Sequence, residues 1–251
     1  MKLNLQIDLN CDLGEGEPLE ITETLMRHVT SCSVACGGHF GDETSMRATA
    51  LLARKHGVTV GAHPSFADRK NFGRKGLPID ERGLRALLTE QVSAMKTVLD
   101  ASSLRLHHIK LHGALYNLVE RDEKLARAYA VWTKENFPNT PLIVLAGGCV
   151  AKAAREIGVR VAKEVFADRA YNDDGTLVSR DKLGAVLEDV DEICDRAAQM
   201  VTQRRVQTIS GKIITMDADT ICVHGDNPKS VEIVRELRQA LEQVGVLMVA
   251  F

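Results

Sequence analysis

Apolar and polar residues alternate at the start of this chain. Leu3, Leu5, Ile7 and Leu9 fall on one face of an extended run, and Gln6, Asp8 and Asn10 fall on the other. Short runs rich in apolar and β-branched residues recur at 29–36, 58–62, 108–111, 142–145, 161–166 and 220–223. With 3–9 they make seven expected strands, and 246–249 is a candidate eighth. Between them the apolar residues take up helical spacing, most clearly at Leu84, Leu87, Leu88, Val92, Met95, Val98 and Leu99. Further helices are expected over 42–56, 122–136, 181–203 and 228–244, with Asp42 and Asp181 where N-caps belong. Gly57, Gly158 and Gly245 stand where a left-handed C-cap is expected. Strand and helix alternate with no break in composition, which predicts one α/β domain over 1–251 with mostly parallel strands.

Most apolar runs end in a polar motif. The motifs read Asp8-Leu9-Asn10-Cys11-Asp12-Leu13-Gly14-Glu15-Gly16, Ala35-Cys36-Gly37-Gly38-His39, Gly61-Ala62-His63-Pro64, Lys110-Leu111-His112-Gly113, Ala167-Asp168-Arg169 and Val223-His224-Gly225-Asp226. A β/α barrel builds its active site from the C-terminal ends of several strands, so six such ends point to one pocket. Parity agrees: His108, Lys110 and His112 oppose Ile109 and Leu111, and Cys222, His224 and, if the strand runs that far, Asp226 oppose Ile221 and Val223. Barrel lumens are normally filled by branched apolar side chains, so a polar lumen implies function. The expected fold is a distorted (β/α) barrel of seven or eight strands. An open doubly wound sheet is the alternative, but it usually carries a glycine-rich phosphate loop after its first strand. Here that turn is acidic, and Leu19 occupies the third glycine position of the fingerprint.

A chain of 251 residues suits a single barrel and needs no covalent staples. Its net charge of −2, with both signs mixed, argues against nucleic acid or a membrane surface as a partner. No apolar run approaches the ~18 residues of a spanning helix. Met1-Lys2-Leu3-Asn4 leads straight into alternating pattern without a signal-peptide stretch, so a cytoplasmic protein is expected. The six scattered cysteines read as buried, inert thiols. Two insertions carry hairpin signals, Asp174-Gly175 within 171–178 and Ser210-Gly211 within 206–216. A long loop over 65–80 with Arg69, Lys70, Arg74 and Lys75 follows His63-Pro64 directly, and reads either as a lid or as a solvated basic loop.

Asp8, Asp12 and Glu15 supply carboxylates, and His39, His63, His112 and His224 titrate near neutrality. Lys110, Arg169 and Arg74 supply positive charge. Such a set suits acid/base hydrolysis of an amide, with water activated by a carboxylate or histidine and the oxyanion met by cations. Asp8, His39 and His63 are a candidate metal-binding trio.

These motifs, with His112-Gly113-Ala114-Leu115-Tyr116-Asn117 and Phe166-Ala167-Asp168-Arg169-Ala170-Tyr171, closely resemble those of the LamB/YcsF family from Asp8 to Asp226. The resemblance implies a distorted seven-stranded barrel akin to glycoside hydrolases and polysaccharide deacetylases. It also implies component A of an ATP-dependent 5-oxoprolinase, which cleaves 5-oxoproline to L-glutamate with ATP (and Mg2+) as co-substrate and two further components, B and C, as partners. The expected catalytic set is Asp8, Asn10, Asp12, His39, His63, Lys110, His112, Asp168, Arg169, His224 and Asp226, with Asp12 or His63 as base. Glu15, Arg74, Tyr116, Asn117 and Glu164 are the expected substrate or nucleotide contacts. No Walker A loop is present, so the nucleotide is expected either on Arg69, Arg74 and Lys75 or in a site completed by a partner. Gly38, Leu111 and Ser65-Phe66-Ala67 depart from the family's usual residues, while His39, Lys110 and His112 are retained. The alternatives are a free-standing metal-dependent amidohydrolase or deacetylase and a non-catalytic component of a complex that only binds ligand.

Overall fold

The computed structural model describes residues 5–225 and 227–251. In chain order the elements are β1 (Leu5–Leu13), α1 (Leu19–Met26), β2 (Ser31–Ala35), α2 (Glu43–His56), β3 (Thr59–His63), a 3-10 turn (Arg69–Asn71), α3 (Glu81–Ala101), β4 (Leu106–Lys110), α4 (Gly113–Val119) and α5 (Glu123–Asn136). Then follow β5 (Leu142–Leu145), α6 (Cys149–Ile157), β6 (Val161–Phe166), α7 (Val190–Gln203), β7 (Arg205–Gln207), β8 (Ile213–Thr215), β9 (Thr220–His224), α8 (Ser230–Gln243) and β10 (Val246–Met248).

Strand β1 is long because it serves two neighbours. Its first residues pair with β10, Leu5 opposite Val246, and its later ones pair with β9, Asp8 opposite Thr220 through Asp12 opposite His224. Its other edge pairs with β2, so β1, β2, β3, β4, β5, β6 and β9 close into a seven-stranded parallel ring, with β10 added at its foot. Closure removes the exposed edges of an open sheet. All eight expected strands are present, and the second insertion is the antiparallel hairpin β7–β8.

Alternation divides the side chains between two environments. Ile7, Leu9, Cys11 and Leu13 pack outward in the core under the helices, together with Leu84, Leu88, Val92, Met95 and Leu99 of α3. Each such side chain contributes roughly 1.5–3 kcal/mol on burial. Asp8, Asn10, Asp12, Ser31, Ser33, His108, Lys110 and Glu164 are also buried, on the lumen parity. Gly61 makes room for one of them: a Cβ there would lie 2.2 Å from the His108 ring. All six cysteines are free and five are buried as expected, Cys149 being half-buried instead; burial pushes the Cys36 thiol up to about 12.

Asp42 caps α2 through a reciprocal pair with Ser45. Asp181 does not cap a helix. The segment after it pairs instead with the strand end, Arg169 opposite Val186 and Leu187 N–H donating to the Asp168 carbonyl, and α7 starts later with Asp189 as its cap. Among the described residues no helix is long and apolar enough to cross a membrane.

Candidate active site

Lys110 lies at the end of β4, 2% exposed, and its ammonium is surrounded by acceptors. Nζ lies 2.9 and 3.1 Å from the two Asp12 oxygens, 2.7 Å from Glu164 Oε1, 3.4 Å from Asn10 Oδ1 and 3.1 Å from Cys222 Sγ. Burial disfavours the charge, but Asp12 and Glu164 outweigh it, and the Lys110 pKa rises well above its ordinary value. Burial likewise opposes ionisation of Asp12, and His63 and Lys110 outweigh it, so Asp12 is a carboxylate. Glu164 is pushed the other way by burial, against Lys110. Asn10 donates to Glu164 Oε1 at 3.2 Å and to Thr220 at 2.6 Å, so it orients the floor.

Beside this floor stands a cluster of imidazoles. His63 Nε2 is 3.3 Å from Asp12 Oδ2 and 3.0 Å from His112 Nδ1, and Glu15 Oε1 lies 3.3 Å from His112 Nδ1. His39 holds Glu15 from behind at 2.7 Å and stacks on His112 with centroids 3.6 Å apart. Burial lowers the His39 pKa to about 4 despite the Glu15 contact, so its imidazole is neutral at pH 7.

The 65–80 loop closes one side of this cluster. The Phe72 carbonyl accepts from His112 Nε2 at 2.9 Å, and Gly73 (φ +62) passes so close that a Cβ would sit 2.9 Å from His39 and 3.0 Å from His112. Arg69 donates to the carbonyls of Gly37 and Gly41, and Gln91 of α3 grips both the amide and the carbonyl of Ser65. Residues 74–78 are exposed, so the basic part of the loop reaches solvent at the rim.

Above the floor opens a cavity of about 450 Å3, within the range of small-molecule sites. Asp12, His63, Lys110, His112 and His224 form part of its wall, and Arg74, Arg121, Arg169 and Arg180 line it as well. Arg169 is fixed by donating to the carbonyls of Val178 (2.6 Å) and Ala185 (3.2 Å); burial and Arg180 lower its pKa to about 10, so it stays cationic at neutrality. Asp168 receives His224 Nδ1 at 3.0 Å on both oxygens, which leaves Nε2 of that ring for the cavity. The Tyr116 hydroxyl and Glu164 Oε2 are buried with no hydrogen-bond partner among the described residues. Tyr116 lines the cavity, so its unpaired hydroxyl is placed to meet a polar ligand.

The LamB/YcsF family model matches residues 7–251. The chain belongs to the LamB/YcsF family. It is 45% identical over 245 residues to a protein of Pyrococcus furiosus named as the A subunit of 5-oxoprolinase, covering 96% of both chains. The crystal structure of a lactam utilization protein from Thermus thermophilus superposes with a TM-score of 0.91 at 38% identity, over 98% of this chain and 100% of that one. A family 4 carbohydrate esterase from Streptomyces lividans matches at a TM-score of 0.52 and 10% identity, over 98% of this chain and 92% of that one, a likeness of fold alone.

In this LamB/YcsF protein the residues singled out by sequence fall into layers. Asp12, His63, Lys110, His112, Arg169 and His224 line the cavity, as do Arg74, Tyr116 and Asn117. Asn10 and Glu164 lie behind Lys110, Asp168 behind His224, and His39 and Glu15 behind the other two histidines. Asp8 sits deeper, held by Thr30, Ser31 and Thr220. Asp226 lies outside the described residues. The Asp8–His39–His63 trio does not converge; the donor groups that do, with their atoms within 4.8 Å, are Glu15–His63–His112 and Asp12–Cys222–His224. Sequence reasoning missed Arg121, Arg180 and Gln91. Gln91 had a legible signal, a polar residue on the apolar stripe of α3, whereas the arginines are brought in only by the chain's path.

Proposed function

We propose that this chain is the A component of an ATP-dependent 5-oxoprolinase. The observation that carries the reading is the near full-length similarity to the Pyrococcus furiosus protein of that name, at 45% identity. The cavity supports it. 5-Oxoproline is an anion with a lactam, and the four arginines of the cavity wall offer compensating charge for its carboxylate and for phosphate.

The chemistry follows from the stability of a five-membered lactam. Phosphoryl transfer from ATP to the lactam oxygen releases ADP and makes the ring carbon a better electrophile. Water then adds, with His224 Nε2 taking its proton in place of the expected Asp12 or His63, since Asp12 is held by Lys110 and both His63 nitrogens face other groups, while Asp168 stabilises the imidazolium. The C–N bond breaks as that proton passes to nitrogen, and a second water hydrolyses the acyl phosphate to glutamate and phosphate. Lys110 and Arg169 counter the charge on the tetrahedral carbon's oxygens. Components B and C complete the nucleotide site, in the cytoplasm where ATP is available.

Reconstitution tests this. The three components together should release glutamate and phosphate from 5-oxoproline, and omission of any one should abolish turnover. His224→Gln should lower kcat by about 100-fold or more, the usual worth of a positioned base, and Asp12→Asn, which removes the charge beside Lys110 and His63, should lower it as well. Full turnover by this chain alone would show the partner requirement to be wrong. Variants as active as the unaltered complex would favour a non-catalytic, ligand-binding role, and no ATP-dependent product at all would overturn the reading.

A further inference from the structure

Glu15, His63 and His112 come from three different strand ends and aim acceptor atoms at one point. His63 Nδ1 faces the Lys110 carbonyl at 2.9 Å, and His112 Nε2 faces the Phe72 carbonyl at 2.9 Å. A carbonyl only accepts, so each ring uses an N–H there and turns its other nitrogen inward. Those inward nitrogens are 3.0 Å apart, and Glu15 Oε1 lies 3.3 Å from one and 3.8 Å from the other.

Protons satisfy only part of this arrangement. A proton on His63 Nε2 is donated to His112 Nδ1 at 3.0 Å, but Glu15 Oε1, which also accepts from His39 at 2.7 Å, still faces the same His112 lone pair at 3.3 Å. A proton on His112 Nδ1 leaves the His63 lone pair against Asp12 at 3.3 Å. Protons on both put two imidazolium rings in contact inside a buried site. One cation at the centre of the three atoms satisfies them all. The edges of 3.0, 3.3 and 3.8 Å bracket the ~3.3 Å between donors of a tetrahedral ion bound at about 2.0–2.1 Å. Outer nitrogens donating to backbone carbonyls are the arrangement that fixes the tautomer of metal-binding histidines.

We propose that Glu15, His63 and His112 form a binding site for one first-row divalent cation of the zinc class. Two nitrogens and a carboxylate, with a fourth position toward the cavity, suit such an ion. The other convergent group, Asp12–Cys222–His224, already holds a cation: the Lys110 ammonium contacts Asp12 and Cys222 at 2.9 and 3.1 Å. The binding claim stands by itself. Only its use, polarising a lactam oxygen or a water in the cavity, rests on the 5-oxoprolinase reading.

The full chain is freed of metal with a chelator and titrated with Zn2+ by calorimetry and with Co2+ by visible absorption. One equivalent of each should bind, and the melting temperature should rise with Zn2+ concentration. Glu15→Gln and His112→Gln should each weaken Zn2+ binding by more than about 100-fold, since loss of an outer partner alone costs about 10–100-fold. Cys222→Ser should leave it unchanged. If a variant does not fold, Co2+-induced shifts of the His63 and His112 imidazole resonances in the unaltered protein give the same answer without substitution. Absence of stoichiometric binding overturns the proposal, as does binding that survives both ligand substitutions or is lost in Cys222→Ser. None of these readouts uses substrate, ATP or partners, so their failure leaves the 5-oxoprolinase reading standing, and a chain that binds Zn2+ yet supports no turnover refutes only that reading.

Discussion

Lys110→Met is the most informative single perturbation of the floor. It keeps an unbranched side chain of similar length and removes the ammonium that lies 2.9 Å from Asp12 and 2.7 Å from Glu164. Removing one partner of a buried ion pair costs about 3–5 kcal/mol, because the remaining charge is left uncompensated in a medium of low polarisability. Glu164 is already pushed toward its neutral form by burial and takes up a proton readily, and Asp12 keeps His63 at 3.3 Å. Both facts put the expected loss at the lower end, about 3 kcal/mol. For a chain of this size about 2–4 °C of melting temperature accompanies each kcal/mol, so a fall of roughly 6–12 °C is expected. Thermal and urea unfolding at pH 7.5 measure it. Adding Glu164→Gln to Lys110→Met should recover little of the loss, since Glu164 is then already protonated, whereas adding Asp12→Asn should recover more of it. A Lys110→Met protein melting within about 1 °C of the unaltered one would refute the claim that this ammonium holds the floor together.

Gly61→Ala places a Cβ 2.2 Å from the buried His108 ring and should cost about 1–3 kcal/mol or more by overpacking. In urea unfolding the loss should be coupled to His108, so that Gly61→Ala with His108→Asn loses less than the sum of the two; additive losses would show that the contact is not the cause. Glu120 is buried beneath the start of α6, accepting from the amides of Leu145 and Val150, and burial raises its pKa from 4.5 to about 7. Below pH 4.5 it is neutral in both folded and unfolded chains and its contribution is fully present; as pH rises toward 7 the unfolded chain ionises first and stability is lost, by about 3 kcal/mol at ~1.4 kcal/mol per pH unit. The stability of the unaltered protein relative to Glu120→Gln should therefore fall between pH 5 and pH 8, and a constant difference across that range in urea unfolding would contradict it.

The strands, most of the helices and the polar character of the lumen were legible in sequence because they rest on short-range order. Residues two apart share a strand face and residues three or four apart share a helix face, so Asp12, Lys110 and His224 declared their side of the sheet without coordinates. The capping role of Asp42 was readable for the same reason, its partner Ser45 being three residues away. Asp181 misled because its segment is drawn into pairing with residues 168–170, a contact that helical spacing does not encode.

What tertiary structure alone decided is which polar groups meet, at what distance and in what state of charge. Lys110 and Asp12 lie 98 residues apart, and Asn10 and Glu164 lie 154 apart, so no local pattern joins them. Asp8 and Asp12 look alike in sequence, yet one is pinned beneath the floor by three hydroxyls and the other lines the cavity beside a lysine. The direction of each imidazole depends on carbonyls that closure of the ring and the path of the 65–80 loop bring to it. The sequence by itself determined a polar-lined barrel of this family. The fold determined that Glu15, His63 and His112, and not Asp8, His39 and His63, converge, because donor atoms meet only where the curvature of the closed sheet brings separate strand ends within reach.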